Sequence, residues 1–163
     1  MEFYFLAHDF EKLNKQISGI SDKIREIGHE MGISCQEGAE TYHDNFAYED
    51  GERQQFMWSS RLKELIKVKN YARVVTPGTL PTRVALGSSV AFVDLDSGEE
   101  KVFSIGSYMT FDQDSVSYAA PLGKILVGAV PGEERSGLIA GKRRRFEVLE
   151  IHSNSTLSHC KCT

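Results

Sequence analysis

No apolar run in this chain approaches the roughly 20 residues that a bilayer-spanning helix needs, which excludes a helical membrane protein. The opening stretch "MEFYFLAHDFEKL" carries no basic segment ahead of its apolar residues, so no secretory signal is expected and the chain reads as cytoplasmic. Cysteine is scarce: Cys35, Cys160 and Cys162 are an odd set that builds no disulfide framework. Positive charge is also short, with 19 Lys and Arg against 23 Asp and Glu and a net charge of -4. That balance argues against a wholly basic nucleic-acid-binding surface; any such contact would need a local basic face. No internal repeat is visible. A chain of 163 residues suffices for one domain, or for two with modest cores.

What is present begins with a seam. From Asp9 to about Ser34 the apolar positions are Phe10, Leu13, Ile17, Ile20, Ile24, Ile27 and Met31. Their alternating spacing of three and four is that of a coiled coil and not of a strand. It predicts a helix about 39 Å long at ~1.5 Å per residue, with Asp9 as a candidate N-cap. A second helical segment is expected from about Phe46 to Ala72, with Trp58, Leu62 and Leu65 as its clearest seam residues. Neither stripe can be buried alone, so an antiparallel hairpin is the economical solution. Near its tip lies "EGAETYHDNFAYEDGE", with Glu37, Glu40, Asp44, Glu49, Asp50 and Glu52 and neither Lys nor Arg. Repulsion makes such a cluster unfavourable unless a cation, or water and salt, offsets it.

The pattern changes at "VVTPGTLPT", where Pro77, Gly78 and Pro81 mark a linker. Beyond it come short β-branched segments, "RVALGSSVAFVDLD", "EKVFSIGS", "SVSYAA" and "RRRFEVLEI", separated by the turn signals "DSGEE", "FDQDS" and "VPGEE". "PLGKILVGA" reads as one short helix opened by Pro121. The expected architecture is α+β: a coiled-coil hairpin over residues 1–76 with an acidic tip at about 37–50, and a linker at 77–81. A mostly antiparallel domain follows over 82–151, then a flexible tail at 152–163.

These segments resemble the GreA/GreB family of bacterial transcription elongation factors. "VALGSSVAFVDLDSGEEKVFSIG", "APLGKILVGAVPGEE" and "FEVLEI" follow the order and spacing of the family's FKBP-like domain. "FEKLNKQI" and "DNFAYEDGERQQFMWSSRLKEL" match its coiled coil. The resemblance covers about residues 3–151. It implies a factor with no active site of its own that enters the secondary channel of RNA polymerase. Two tip acids, three apart in the family, help hold the second Mg²⁺ of the polymerase, and the polymerase hydrolyses backtracked RNA near its 3′ end. Counting forward from "EKL" places the first acid at Glu40; counting back from "QQF" places the second at Asp44, followed by Asn45. Here the acids stand four apart, with Glu and Asp exchanged. The resemblance makes Glu40 and Asp44 the catalytic and metal-sharing pair, and Asn45, Tyr48 and Arg53 the residues nearest RNA. Ala120, Pro121 and Leu122 become the polymerase contact, with Asp94 and Asp96 as a weaker addition. No Mg²⁺ on the free protein and no membrane partner are expected, and the free chain is read as a monomer.

The altered tip supports a second reading, a channel regulator that binds polymerase without stimulating cleavage, or while inhibiting cleavage and synthesis. A third, a prolyl isomerase, follows only from fold analogy, and no aromatic-lined pocket is named for it. Asn45 also suits a helix N-cap, and Tyr48 suits packing at the tip. The basic run from Arg53 to Arg73 suits a solvated face. His43 reads as a surface residue, and "HCKCT" with His152 as part of a flexible tail rather than a zinc site. Lys142–Arg145 reads as a turn and a solvated strand edge.

Overall fold

The computed structural model describes residues 1–37, 46–79 and 81–153. The chain forms two compact units: Glu11–Ala72, and Met1–Phe10 together with the chain from Arg73 onward. The architecture is α+β, as expected.

The helical unit is built on the seam. Helix α1 spans Ala7–Glu37 and α2 spans Phe46–Asn70. On α1, Leu13, Ile20 and Ile27, seven residues apart, are buried, while Ile17, Ile24 and Met31 are half-buried. A heptad repeat keeps one stripe facing its partner over successive turns. On α2 the matching heptad is Gly51, Trp58 and Leu65, of which Gly51 and Leu65 are buried. The helices run antiparallel. Lys23 Nζ lies 4.2 Å from the centre of the Trp58 ring, and a Cβ added at Gly28 would stand 3.1 Å from Gln55 Nε2. The Met31 side chain fills the space above Gly51 that any larger residue would occupy. Numbers along α1 therefore rise as those along α2 fall, and residues 38–45 connect the two helices.

The second unit is a curled sheet with one short helix. Its strands are β3 (Ser88–Asp94), β4 (Glu100–Gly106), β5 (Ser115–Ser117), β6 (Glu134–Ile139) and β7 (Lys142–Ser153), in the order β5-β4-β3-β7-β6. A separate two-stranded sheet pairs β1 (Phe3–Phe5) with β2 (Ala72–Val74). In the larger sheet β3 pairs antiparallel with β4 and β7, as β6 does with β7; β4 and β5 are parallel. The expected mostly antiparallel sheet is thus mixed at one interface. Helix α3 (Pro121–Leu126) starts at Pro121, whose missing N–H costs nothing in a first turn. It packs on the face carrying Val90, Phe92, Ile105, Phe146 and Val148, which with Val84, Leu126 and Ala129 form the core.

Two points differ from expectation, and one agrees. Asp9 is not a cap: α1 begins before it, and the Phe10 N–H donates to the Leu6 carbonyl at 3.0 Å. Asp9 is instead buried and accepts a short hydrogen bond from Ser107 Oγ, which itself accepts from the Leu6 N–H at 2.8 Å. Lys142–Arg145 follow the turn at 140–141 and open β7, paired with β6 on one side; β3 reaches only to Phe146, so apart from the Leu95 N–H that donates to Arg145 O at 2.9 Å their other side is a strand edge, as expected. Finally, β1, β2 and β6 are strands that periodicity did not reveal.

Candidate functional site

The candidate residues lie at two places. Glu40, Asp44 and Asn45 fall outside the described residues, as does His43. Their neighbours on the first turns of α2 are described. Tyr48 is half-buried. Arg53 is exposed, with Nη1 3.8 Å from Asp50 Oδ1, and Gln54 Nε2 donates to Asp50 Oδ2 at 2.8 Å. Arg53 is thereby placed on the same helical turn as an acid that partly offsets its charge.

Ala120, Pro121 and Leu122 are brought together at the start of α3. Ala120 has extended geometry (φ -67°, ψ 155°) and offers no side-chain cap. Its N–H donates to Ser117 O at 3.0 Å, and its carbonyl accepts the Lys124 N–H at 2.9 Å. Pro121 is exposed, and Leu122 is half-buried against the core. Gly123 makes this approach possible. A Cβ there would overlap Ser117 O and stand 2.9 Å from Tyr118 Cα, so only glycine lets α3 rest on the backbone after β5. The turn is further held by Ser117 Oγ, which donates to Tyr108 O at 2.9 Å and accepts the Ala119 N–H at 3.2 Å.

Asp94 and Asp96 are engaged within their own unit. Asp94 is buried, receives Arg144 Nη1 at 2.7 Å on Oδ2, and accepts the Asp96 N–H at 3.0 Å on Oδ1. Burial raises its pKa, but the Asp96 N–H, the Arg144 guanidinium and the Ser97 N–H together hold it below its ordinary value. Asp96 accepts the Arg145 N–H at 3.0 Å and lies 3.4 Å from Arg145 Nη2. The first of these acids therefore ties the β3 turn to β7.

Beside Leu122 the sheet carries a recess of about 370 Å³, floored by Phe92, Phe103 and Phe146. The sequence reading named no such aromatic pocket. Its signal was present in the alternation of "KVFSI" and "KRRRFEV", where every second residue shares one face. Among the described residues His8, Asp9 and Asp112 also bring one ligand atom each within 4.8 Å of one another. The Asp9 carboxylate is already engaged by Ser107 and His8.

Residues 79–153 match the family model described as Transcription elongation factor, GreA/GreB, C-term. The chain is 30% identical over 112 residues to the transcription elongation factor GreA of Aliarcobacter butzleri, covering 67% of this chain and 70% of that one. With GreA of Helicobacter hepaticus it shares 28% over 148 residues, 88% of this chain and 90% of the relative. Among solved structures, the GreA factor homolog 1 protein of Thermus thermophilus aligns over 94% of this chain and all of its own, at 24% identity and a TM-score of 0.43. The chain belongs to the GreA/GreB family of transcription elongation factors.

Proposed function

We propose that this chain is an accessory factor of RNA polymerase that enters the secondary channel with its helical hairpin and stimulates cleavage of backtracked RNA. The observation that carries this reading is the antiparallel seam. The contacts of Lys23 with Trp58 and of Met31 with Gly51 hold α1 and α2 together on either side of the acidic connection. Between the two helices in the chain lies the segment richest in carboxylates, six from Glu37 to Glu52 with neither Lys nor Arg. Family membership supports the rest.

In this reading Glu40 and Asp44 supply hard oxygen donors, the chemistry Mg²⁺ selects, and a divalent cation usually takes only one or two such carboxylates from protein. A two-metal site stabilises the attacking and leaving oxygens of phosphodiester hydrolysis. The chain's own contribution is to bring negative charge to the polymerase site and hold it there. Asn45, Tyr48 and Arg53 lie closest to the RNA 3′ end. Ala120, Pro121 and Leu122 grip the polymerase outside the channel. No active site within this chain is invoked, and the chemistry belongs to the polymerase.

The four-residue spacing of Glu40 and Asp44 favours a second reading, a channel regulator that binds without stimulating cleavage. One experiment separates them. Halted, backtracked polymerase is mixed with the protein, and release of short 3′ RNA fragments is timed. Acceleration that falls about 100-fold in Glu40→Ala or Asp44→Ala, the cost of ~1 Å of misplacement, supports the cleavage factor. Tight binding with unchanged or slower cleavage assigns the regulator.

A further inference from the structure

Among the described residues, one cluster of metal-ligating side chains plays no part in the reading above. The first turn of α1, which carries His8 and Asp9, belongs to the sheet unit. Residues 107–114, between β4 and β5, come back against that turn and are held there at three points. The Leu6 N–H donates to Ser107 Oγ at 2.8 Å, and the Tyr108 N–H donates to Tyr4 O at 3.0 Å. The rings of Phe3 and Tyr108 meet with centres 4.2 Å apart. Four residues on, Asp112 O accepts the Ser115 N–H at 3.3 Å, which closes the loop toward β5. The result is that His8, Asp9 and Asp112 each bring one ligand atom within 4.8 Å of the other two.

Asp9 is oriented as a ligand needs to be. Its side chain is 4% exposed, and Ser107 Oγ, itself fixed by the Leu6 N–H, donates to Oδ2. Ligating carboxylates are commonly held by an outer hydrogen bond of this kind. Oδ1 is left facing His8 Nε2, 3.3 Å away. That distance is longer than the usual ~2.7–3.2 Å of an N–H···O bond. It is also the ligand-to-ligand spacing, about 3.3 Å, of a tetrahedron whose Zn–N and Zn–O arms are ~2.0 Å. A proton on Nε2 would join His8 to Asp9, but it gives no role to Asp112. Two carboxylates this close repel each other, and a divalent cation between them offsets both charges. One imidazole nitrogen with two carboxylate oxygens suits zinc, whereas Mg²⁺ and Ca²⁺ favour oxygen alone. His8 and Asp112 are exposed, so a cation has a way in and water can complete its coordination.

We propose that His8 Nε2, Asp9 Oδ1 and a carboxylate oxygen of Asp112 form a zinc site that staples the start of α1 to the β4–β5 loop. Water takes the fourth position. The site joins segments about 100 residues apart in the chain, so zinc binds the folded sheet unit and not the unfolded chain. It stands independently of the polymerase reading.

The test uses the full chain carrying Cys35→Ser, Cys160→Ser and Cys162→Ser, so that no thiol competes, dialysed against chelator and titrated with zinc chloride. Calorimetry reads the affinity, and nuclear magnetic resonance reads the His8 ring. The His8 ring signals should shift with zinc and stay in place with the same concentration of Mg²⁺. His8→Gln and Asp112→Asn, both at exposed positions, should each weaken zinc binding at least 10-fold. The control Glu150→Gln, which removes an exposed acid paired with His152, should bind within twofold of the parent. Zinc at about 100 times its Kd should raise the Tm of the parent and leave that of the two ligand variants unchanged. Circular dichroism of each variant secures its fold. His8 signals that ignore saturating zinc overturn the site, as does a loss below 10-fold in either ligand variant. Mg²⁺ that moves the His8 signals as zinc does overturns the assignment to zinc.

Discussion

Replacing one glycine by alanine in two helices of this protein is expected to change stability with opposite sign. At Gly19, on α1, nothing lies within 4 Å of where a Cβ would be. There the substitution collects the intrinsic helix preference of alanine, about 1 kcal/mol. At Gly123, on α3, the same methyl meets backbone: it overlaps Ser117 O and stands 2.9 Å from Tyr118 Cα and 3.0 Å from Ser117 C. A flexible side chain could swing aside, but the strand-to-helix turn can only shift as a whole. Overpacking of this kind costs about 3 kcal/mol at the upper end of its usual range. Subtracting the propensity gain leaves a net loss of about 2 kcal/mol. For a domain of 60–100 residues that lowers Tm by roughly 8–16 °C. Thermal unfolding followed by hydrogen exchange at β3 and β7 amides reads the sheet unit, and Trp58 fluorescence reads the helical one. Gly123→Ala should weaken protection in the sheet, while Gly19→Ala should raise the Trp58 transition. A Gly123→Ala chain as stable as the parent would refute the close seating of α3, and with it the placement of Ala120, Pro121 and Leu122.

Other outcomes follow from the same contacts. Leu65 is 1% exposed, so Leu65→Ala should cost about 2–5 kcal/mol, seen as a lower urea midpoint of Trp58 fluorescence. Ser107→Ala removes the hydroxyl that donates to buried Asp9 and accepts from the Leu6 N–H; about 1–3 kcal/mol should be lost, measured by urea unfolding near neutral pH. Asp94 and Glu133 both titrate below their ordinary values of 3.8 and 4.5. For Glu133 the cause is Arg135 Nε at 2.7 Å and then the Val130 N–H. A carboxyl lowered on folding stabilises the protein above its unfolded pKa and loses that contribution as pH falls through the folded one. Stability should therefore decline as pH falls from about 4.5, and Asp94→Asn or Glu133→Gln should each make the decline shallower in a series of urea midpoints.

Legibility in the sequence tracked how local each determinant is. Helix α1 was readable because Leu13, Ile20 and Ile27 keep one face of a repeat. Helix α2 looked irregular for two reasons. One seam position is Gly51, which carries no apolar signal but accommodates Met31. Meanwhile Phe46, Phe56 and Met57 are apolar yet exposed, off the seam. Strand β6 was hidden in the same way, since its inward positions include Arg135 and Gly137, the latter kept small for Ile125. Asp9 fitted a local capping rule, but a hydroxyl 98 residues away captured it. At the candidate site, Ala120, Pro121 and Leu122 are candidates for docking through a family motif, and the structure adds why Gly123 must follow them. The aromatic recess needed strand register, because its floor comes from β3, β4 and β7, whose residues meet only once the sheet is assembled. Tip residues Glu40 and Asp44 were read from family spacing alone.

The interlocking of Met31 with Gly51 carries one last implication. The contacts of Met31 with Gly51 and of Lys23 with Trp58 are made by α1 and α2 themselves, outside the eight residues joining them. Adding or deleting a residue in that joint leaves each partner of the zipper facing its mate. The length of that joint, and with it the spacing of Glu40 and Asp44 along the chain, can thus change without unpicking the paired helices.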